Sequence, residues 1–277
     1  IITGTNDTPV IDVVEYIDSI AADFIETDAG LSTSGTLTVT DLDLSDTVSF
    51  STTLNVQAPH VIAGALPSHE ALLGMFTTDA VLDATPGDAQ NLTWTFNSDT
   101  QAFNYLAEGE TLTLTYTITA TDSSLDAATD TQEVTITITG TNDFPVISLE
   151  EGDAAVAALT EENEGLATAG TITITDIDLS DTVAITVDPV VQIAAPESVL
   201  SVLPSVAEFF AMFAIDANTL ATPGDYSEVE WSFDSQELAF DYLAQGETLT
   251  LTYTITATDS RDRKSTRLNS SHRCLSR

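Results

Sequence analysis

The stretch Thr111-Leu112-Thr113-Leu114-Thr115-Tyr116-Thr117-Ile118-Thr119-Ala120-Thr121 alternates without a break. Leu112, Leu114, Tyr116, Ile118 and Ala120 fall on one face of an extended chain and the threonines on the other, as in a strand with one buried side. The same eleven residues return at Thr248 to Thr258, and around them Phe103 to Ser123 and Phe240 to Ser260 differ only at Asn104/Asp241 and Glu108/Gln245. Working outward, GTNDTPVI at Gly4 to Ile11 returns as GTNDFPVI at Gly140 to Ile147. GTLTVTDLDLSDTV at Gly35 to Val48 returns as GTITITDIDLSDTV at Gly170 to Val183. The chain is two copies of a unit of roughly 136 residues, and each copy is expected to fold by itself.

Within a copy, Val134, Ile136 and Ile138 alternate in the same way, as do Leu37 and Val39, while Thr93 to Phe96 and Thr47 to Phe50 read as further strands. Adding Val10 to Ile17 and Ala102 to Leu106 gives about seven strands, so the expected fold class is all-β, two tandem β-sandwiches. One segment departs from the pattern. Pro67 to Phe76, matched by Pro204 to Phe213, spaces its apolar residues as a short inserted helix, with Ser205 and Glu208 at capping-box spacing. The last strand of copy one, Thr131 to Thr139, corresponds to Leu268 to Ser276, where alternation is lost. Copy two is therefore expected to be truncated, leaving an open edge. The boundaries read 1–141 for the first repeat, 142–261 for the second and 262–277 for a tail.

The charge distribution narrows the function. All six Lys and Arg lie among the last 17 positions, so residues 1–260 carry 43 acids and no base. Such a body cannot neutralise phosphates, which excludes nucleic acid and anionic membrane surfaces as partners. Nor does any apolar stretch reach the length of a membrane span, and the N-terminus has no basic segment ahead of an apolar run, so the chain reads as an internal fragment, with any export signal lying elsewhere. Cys274, the single cysteine, lies in the tail, so the body has neither disulfides nor a thiolate metal site. Self-repulsion among so many carboxylates calls for cations from solution.

Strand parity shows where they would bind. Leu37, Val39, Asp41 and Asp43 share one face, as do Ile118, Ala120 and Asp122, so these acids continue inward faces beyond the end of the core. With strands running alternately up and down, Asp41, Asp43 and Asp122 gather at one pole, and Asp176, Asp178 and Asp259 do so in copy two. The turns bearing Glu26, Glu108 and Glu110 converge at the opposite pole with Asn142 and Asp143. Copies stacked end to end would bring about eight oxygen-bearing side chains to their junction, a set suited to a hard cation, calcium foremost. An EF-hand does not fit. In Asp41-Leu42-Asp43-Leu44-Ser45-Asp46 the sixth position is not glycine, and the twelfth is Thr52 rather than glutamate.

The motifs ITGTNDxPVI, GTLTVTDxDxxDTV, WTFNSxxxxFxYLAEGETLTLTYTITATDS and VTITITGTND together resemble the VCBS-type, cadherin-like repeats that tile large secreted bacterial adhesins, often of the RTX type. The resemblance covers nearly all of residues 1–260. It implies an immunoglobulin-like, cadherin-like sandwich in each repeat, an extracellular location reached by type I secretion, calcium-dependent rigidity, and a role in adhesion or biofilm. Its implied partners are neighbouring repeats of the same chain and a surface or glycan ligand bound through other domains. For metal ligands it points to Asn142-Asp143 before Pro145, Asp176-x-Asp178, Glu108-Gly109-Glu110, Asp259 and Glu26, with Asn6, Asp7, Asp41, Asp43 and Asp122 at the matching places of copy one. Gly140 and Phe144 stand where cadherin linkers carry an Asp and an Asn, which implies fewer ions or weaker binding.

The tail, Asp262 to His272, resembles instead the in-frame translation of a sequencing adapter. Two other functions come from different classes: a carbohydrate-binding module, with Trp94 and Trp231 stacking on sugar, and an acidic surface-layer repeat without specific metal sites. Alternation places both tryptophans in the core. The polar clusters do not flank a cleft, as glycoside hydrolysis would require, and no serine lies in a nucleophile elbow, so the expected function is not enzymatic.

Overall fold

A computed structural model describes residues 1–83, 91–216 and 227–261, and the backbone of 264–275. The chain divides into two compact units, Ile1–Thr141 and Asn142–Arg277. In unit 1 the described strands are β1 (Val10–Asp12), β2 (Ala21–Ile25), β3 (Ser32–Thr40), β4 (Thr47–Gln57), β5 (Phe76–Thr78), β6 (Val81–Asp83), β7 (Leu92–Asn97), β8 (Thr111–Asp122) and β9 (Thr129–Thr139), with helix α1 (His69–Gly74). In unit 2 the described strands are β10 (Val146–Ser148), β11 (Val156–Thr160), β12 (Ala167–Thr175), β13 (Ala184–Val187), β14 (Gln192–Ala194), β15 (Phe213–Ile215), β16 (Ser227–Asp234), β17 (Thr248–Thr258) and β18 (Lys264–Leu275), with helix α2 (Val206–Ala211), and β13 and β14 together take the place of β4.

Each unit is a sandwich of two sheets. In unit 1 one sheet runs β1-β3-β7-β5 and the other β2-β9-β8-β4-β6; in unit 2 the sheets run β10-β12-β16-β15 and β11-β18-β17-β13, with β14 also on β17. The inward residues of β8 meet those of the facing sheet, and Phe76 stacks on Tyr116 with centroids 4.3 Å apart and on Trp94 at 5.7 Å. Unit 2 does the same with Phe213, Tyr253 and Trp231. Trp94 is 0% and Trp231 1% exposed, and their indole N–H groups donate to the carbonyls of Ser19 and Ala154 at 2.8 and 2.7 Å. Neither ring is available to a sugar. Gly35 and Gly170 lie flat against these indoles, where a Cβ would fall 2.4 and 2.6 Å from a ring carbon, which accounts for glycine inside both strands.

The inserted helices close one flank of each core. Leu72 of α1 and Phe209 of α2 are buried, and their carbonyls accept from Tyr116 and Tyr253 at 2.8 and 2.9 Å. Ser68 caps α1 by accepting from the Ala71 N–H. Ser205 and Glu208 form the reciprocal capping box at α2.

Four expectations need correction. Val10 to Ile17 is not one strand: β1 ends at Asp12, a turn follows with Tyr16 at φ 64°, and the chain crosses to the other sheet as β2. The Asp18 carboxylate fixes that crossing by accepting from the Val14 N–H and the hydroxyls of Thr36 and Thr38. Strands do not all alternate in direction, because β2 runs parallel to β9 and β11 parallel to β18. Ala102 to Leu106 is a turn in which Phe103 and Leu106 are fully buried, apolar because it plugs the core rather than because it pairs. Finally, copy two does not stop short of its last strand. Lys264–Leu275 pairs with β17 antiparallel and with β11 parallel, since main-chain hydrogen bonding completes a ladder whatever the side chains are. Of the tail 262–277, residues 262, 263, 276 and 277 lie outside the described residues.

Candidate metal centres

In unit 1, β3 delivers Asp41 and β8 delivers Asp122 to the same end of the sandwich, in the parity of their inward residues. The Asp43 N–H donates to Asp41 Oδ1 at 2.9 Å and the Asp46 N–H to the Asp43 carbonyl at 2.8 Å, a tight turn that folds Asp46 back over Asp41. Asp122 Oδ1 accepts from the Ser124 hydroxyl and from the N–H groups of Ser124 and Ala128, and its Oδ2 accepts from Asn6 Nδ2 at 2.8 Å. The Asp7 N–H reaches Asp43 Oδ2 at 2.7 Å. Carboxylate oxygens of Asp41, Asp46 and Asp122 thereby lie within 4.8 Å of one another. Asp41 is 1% exposed and its Oδ2 has no donor. Burial, helped by the charges of Asp43, Asp46 and Asp122, raises its pKa, whereas the Asn6 amide and its other donors lower that of Asp122.

Unit 2 repeats the construction with nearly the same bonds. The Asp178 N–H donates to Asp176 Oδ1 at 3.1 Å, the Asp181 N–H to the Asp178 carbonyl at 3.0 Å and the Asp143 N–H to Asp178 Oδ2 at 2.8 Å. Asn142 Nδ2 donates to Asp259 Oδ2 at 3.0 Å. Here Asp176, Asp178, Asp181 and Asp259 are all buried, Asp178 completely. Asp176 Oδ2, Asp178 Oδ1, Asp181 Oδ2 and Asn142 Oδ1 are buried without a donor. Burial, then the charges of neighbouring aspartates, pushes the Asp176 carboxyl up to about 6 and that of Asp178 up to about 8. Among the described residues one cation reaches in: Arg261, at the position of Ser124, places Nε 3.3 Å from Asp181 Oδ1.

The donor set fits calcium. Every candidate ligand is a carboxylate or amide oxygen, several are buried and lack a proton donor, and a divalent ion would supply the charge they lack. In unit 2, Asp176, Asp178, Asp181, Asp259, Asn142 and Asp143 would hold it; in unit 1, Asp41, Asp43, Asp46, Asp122, Asn6 and Asp7 would.

The other predicted group belongs to the far end of unit 1. Glu26 is buried and accepts from the N–H and hydroxyl of Thr141, while its Oε2 has no donor. The turn bearing Glu110 is tied to the same place, since the Gly140 N–H donates to the Glu110 carbonyl at 2.8 Å. Glu110 turns its carboxylate back onto the Ala107 N–H, and Glu108 stands exposed on the turn.

Asp46 and Asp181 are members of these clusters that sequence reasoning passed over. They are legible in DLDLSDTV and DIDLSDTV, where the third aspartate recurs in both copies, but the EF-hand template counts it as a mismatch. His60 and His69 are exposed and take no part.

No protein-family model matches the sequence, and no curated protein does. Among solved structures it is similar to the protocadherin gamma B4 extracellular domain, at 13% identity over 97% of this chain and 33% of that one, with a TM-score of 0.37. It is also similar to protocadherin gamma B2 extracellular cadherin domains 1–5, at 15% identity over 99% and 41%, TM-score 0.38. A third is mouse cadherin-23 EC22–24, at 13% identity over 99% and 67%, TM-score 0.35. The chain spans about a third to two-fifths of the first two. Overlays this loose carry nothing about binding or function, and the sandwich is defined by its own strand pairing. No helix among the described residues is long and apolar enough to cross a membrane.

Proposed function

We propose that the chain is a non-enzymatic, calcium-binding structural segment of a secreted bacterial adhesin, a spacer within a run of similar repeats. The observation that carries this reading is Asp178, fully buried beside Asp176 and Asp181, with an oxygen that no donor reaches. A buried carboxylate crowded by others of the same charge is costly, and a bound divalent cation offsets the cost. The clusters also seize the chain on either side of Thr141: Glu26 holds Thr141 within unit 1, and Asp178 and Asp259 hold Asp143 and Asn142 within unit 2. Calcium at these places would order the connecting residues, so that binding stiffens the tandem. Affinity of about 0.1 to 1 mM would leave the chain unliganded in cytosol and loaded outside the cell. Export by type I secretion, a part in biofilm, and recognition of a surface or glycan through other domains belong to the same proposal. Thermal melting in calcium, in chelator and in sodium chloride of equal ionic strength tests it. Calcium alone should raise the melting temperature; equal stabilisation by sodium would instead favour an acidic surface with no specific site.

A further inference from the structure

We propose that the groove between α2 and the turn after β16 in unit 2 binds a small organic cation, an ammonium head on an apolar body about the size of a hexyl chain. The groove has a volume of about 510 Å³, and Val202, Leu203, Met212 and Leu238 line it together with Glu208 and Gln236. That volume falls among those of small-molecule sites, which combine apolar walls with a few polar groups. The walls are tied together by the fold. The Asp234 N–H donates to the Met212 carbonyl at 2.8 Å, joining the end of β16 to the end of α2. The Ser235 hydroxyl donates to the Leu238 carbonyl at 2.8 Å, and the Leu238 N–H donates to the Ser235 carbonyl at 3.0 Å. The turn that presents Gln236 and Leu238 is thus closed on itself, and a preformed groove loses little conformational freedom on binding.

Unit 1 does not share these residues. Val202, Glu208 and Leu238 stand where it has Ala65, Ala71 and Gln101, and nearby Leu200 and Val206 replace Ala63 and His69. Leu200, Val202 and Val206 are 57%, 56% and 43% exposed, so the added apolar surface faces outward and core packing does not account for it. Charge then selects the ligand. Glu208 Oε2 accepts from the Ser205 N–H at 2.7 Å and from the Ser205 hydroxyl at 2.8 Å, and these bonds hold its carboxyl below the usual range, so it is ionised at neutral pH. No Lys or Arg precedes Arg261 in the chain. An anion would therefore be repelled from the groove, and a neutral molecule would forgo the attraction of Glu208.

The two methionines of the chain, Met75 and Met212, occupy matching places in the two units. Isotopic labelling of their methyl groups for nuclear magnetic resonance therefore gives one reporter in the groove and one control. The full chain, with calcium in excess so that the acid clusters are not free to take up the probe, is titrated with hexylammonium, hexanol and hexanoate. Hexylammonium should shift the Met212 methyl signal saturably at millimolar concentration and leave that of Met75 in place. Hexanol should bind roughly fivefold more weakly, as the loss of one partly exposed ion pair requires, and hexanoate should not bind. Glu208→Gln should erase the preference for the ammonium over the alcohol without changing the affinity of the alcohol. Leu238→Gln, which gives the groove the residue of unit 1, should weaken both several-fold. The proposal is overturned by an absence of saturable shift at Met212, by equal shifts at the two methyl groups, by hexanol or hexanoate binding as tightly as hexylammonium, or by a preference that survives Glu208→Gln.

Discussion

The acid cluster of unit 1 and that of unit 2 are assembled from corresponding residues by corresponding hydrogen bonds, yet they differ electrically. In unit 1, Asp43 and Asp46 are only part-buried, and the Ser124 hydroxyl donates to Asp122. In unit 2, Asp178 and Asp181 are buried and Arg261 takes the place of Ser124. The difference separates two things that a repeat fixes together in sequence. Turn geometry follows from local residue order and is copied faithfully. Charge balance depends on burial and on whichever cation stands nearby, and is not.

Removing calcium should separate the clusters most. A ligand at 100 times its dissociation constant stabilises by about 2.7 kcal/mol, on the order of 10 °C for a unit of this size. Chelation should lower the melting temperature by that much, more for unit 2 than for unit 1. The variants Trp94→Phe and Trp231→Phe each leave one indole to report one unit by fluorescence. Equal shifts would remove the distinction.

The next largest effect is that of pH in chelator. A carboxyl whose folded pKa is raised holds its proton more tightly when folded, so metal-free stability is full below its unfolded pKa near 4 and is lost as pH rises. With Asp176 at about 6 and Asp178 at about 8, unit 2 should lose stability steadily between pH 4 and 8. Unit 1 should change less, because Asp41 alone among its cluster acids is raised, while the lowered Asp122 contributes its pH dependence below about pH 4, outside this range. Saturating calcium should flatten or reverse the slope of unit 2, since the ion competes with those protons. Parallel denaturation midpoints for the two indole reporters across this range would contradict the assignment.

A smaller change should come from Arg261→Ser, which gives unit 2 the residue of unit 1. Without the competing guanidinium, calcium affinity in unit 2 should rise about fivefold, the equivalent of about 1 kcal/mol of partly exposed ion pairing. Asp181→Asn should weaken binding, and Asp46→Asn should do the same in unit 1. The smallest difference lies away from the clusters. Ser68→Ala and Ser205→Ala should each cost about 1 kcal/mol in urea unfolding, with Ser205→Ala the costlier because it also breaks the reciprocal bond with Glu208.

Much of this was legible in the residues. The alternation of Thr111 to Thr121 identified the central strand, its parity carried Asp41 and Asp122 to one end, and the Ser205/Glu208 spacing marked a helix start. What escaped was set by partners rather than by local pattern. β2 joins its sheet through a parallel pairing with β9, more than a hundred residues away, and its short sequence AADFI alternates only weakly. Phe103 and Leu106 are apolar like a strand but seal the core from a turn. Lys264–Leu275 shows no alternation, so its main-chain pairing with β17 and β11 could not be read from side-chain pattern. Asp46 and Asp181 lie in a repeated motif, but their role depends on the fold-back of the Asp43 and Asp178 turns, which spacing by itself does not reveal.

The central claim is that buried aspartates without donors hold calcium, and calorimetric titration of the intact chain tests it most directly, with Asp178→Asn and Asp43→Asn alongside. Saturable binding near 0.1 to 1 mM is expected. Asp178→Asn should abolish the tighter component and leave the weaker, while Asp43→Asn should remove the weaker alone. No saturable heat, or binding untouched by either substitution, would contradict the account.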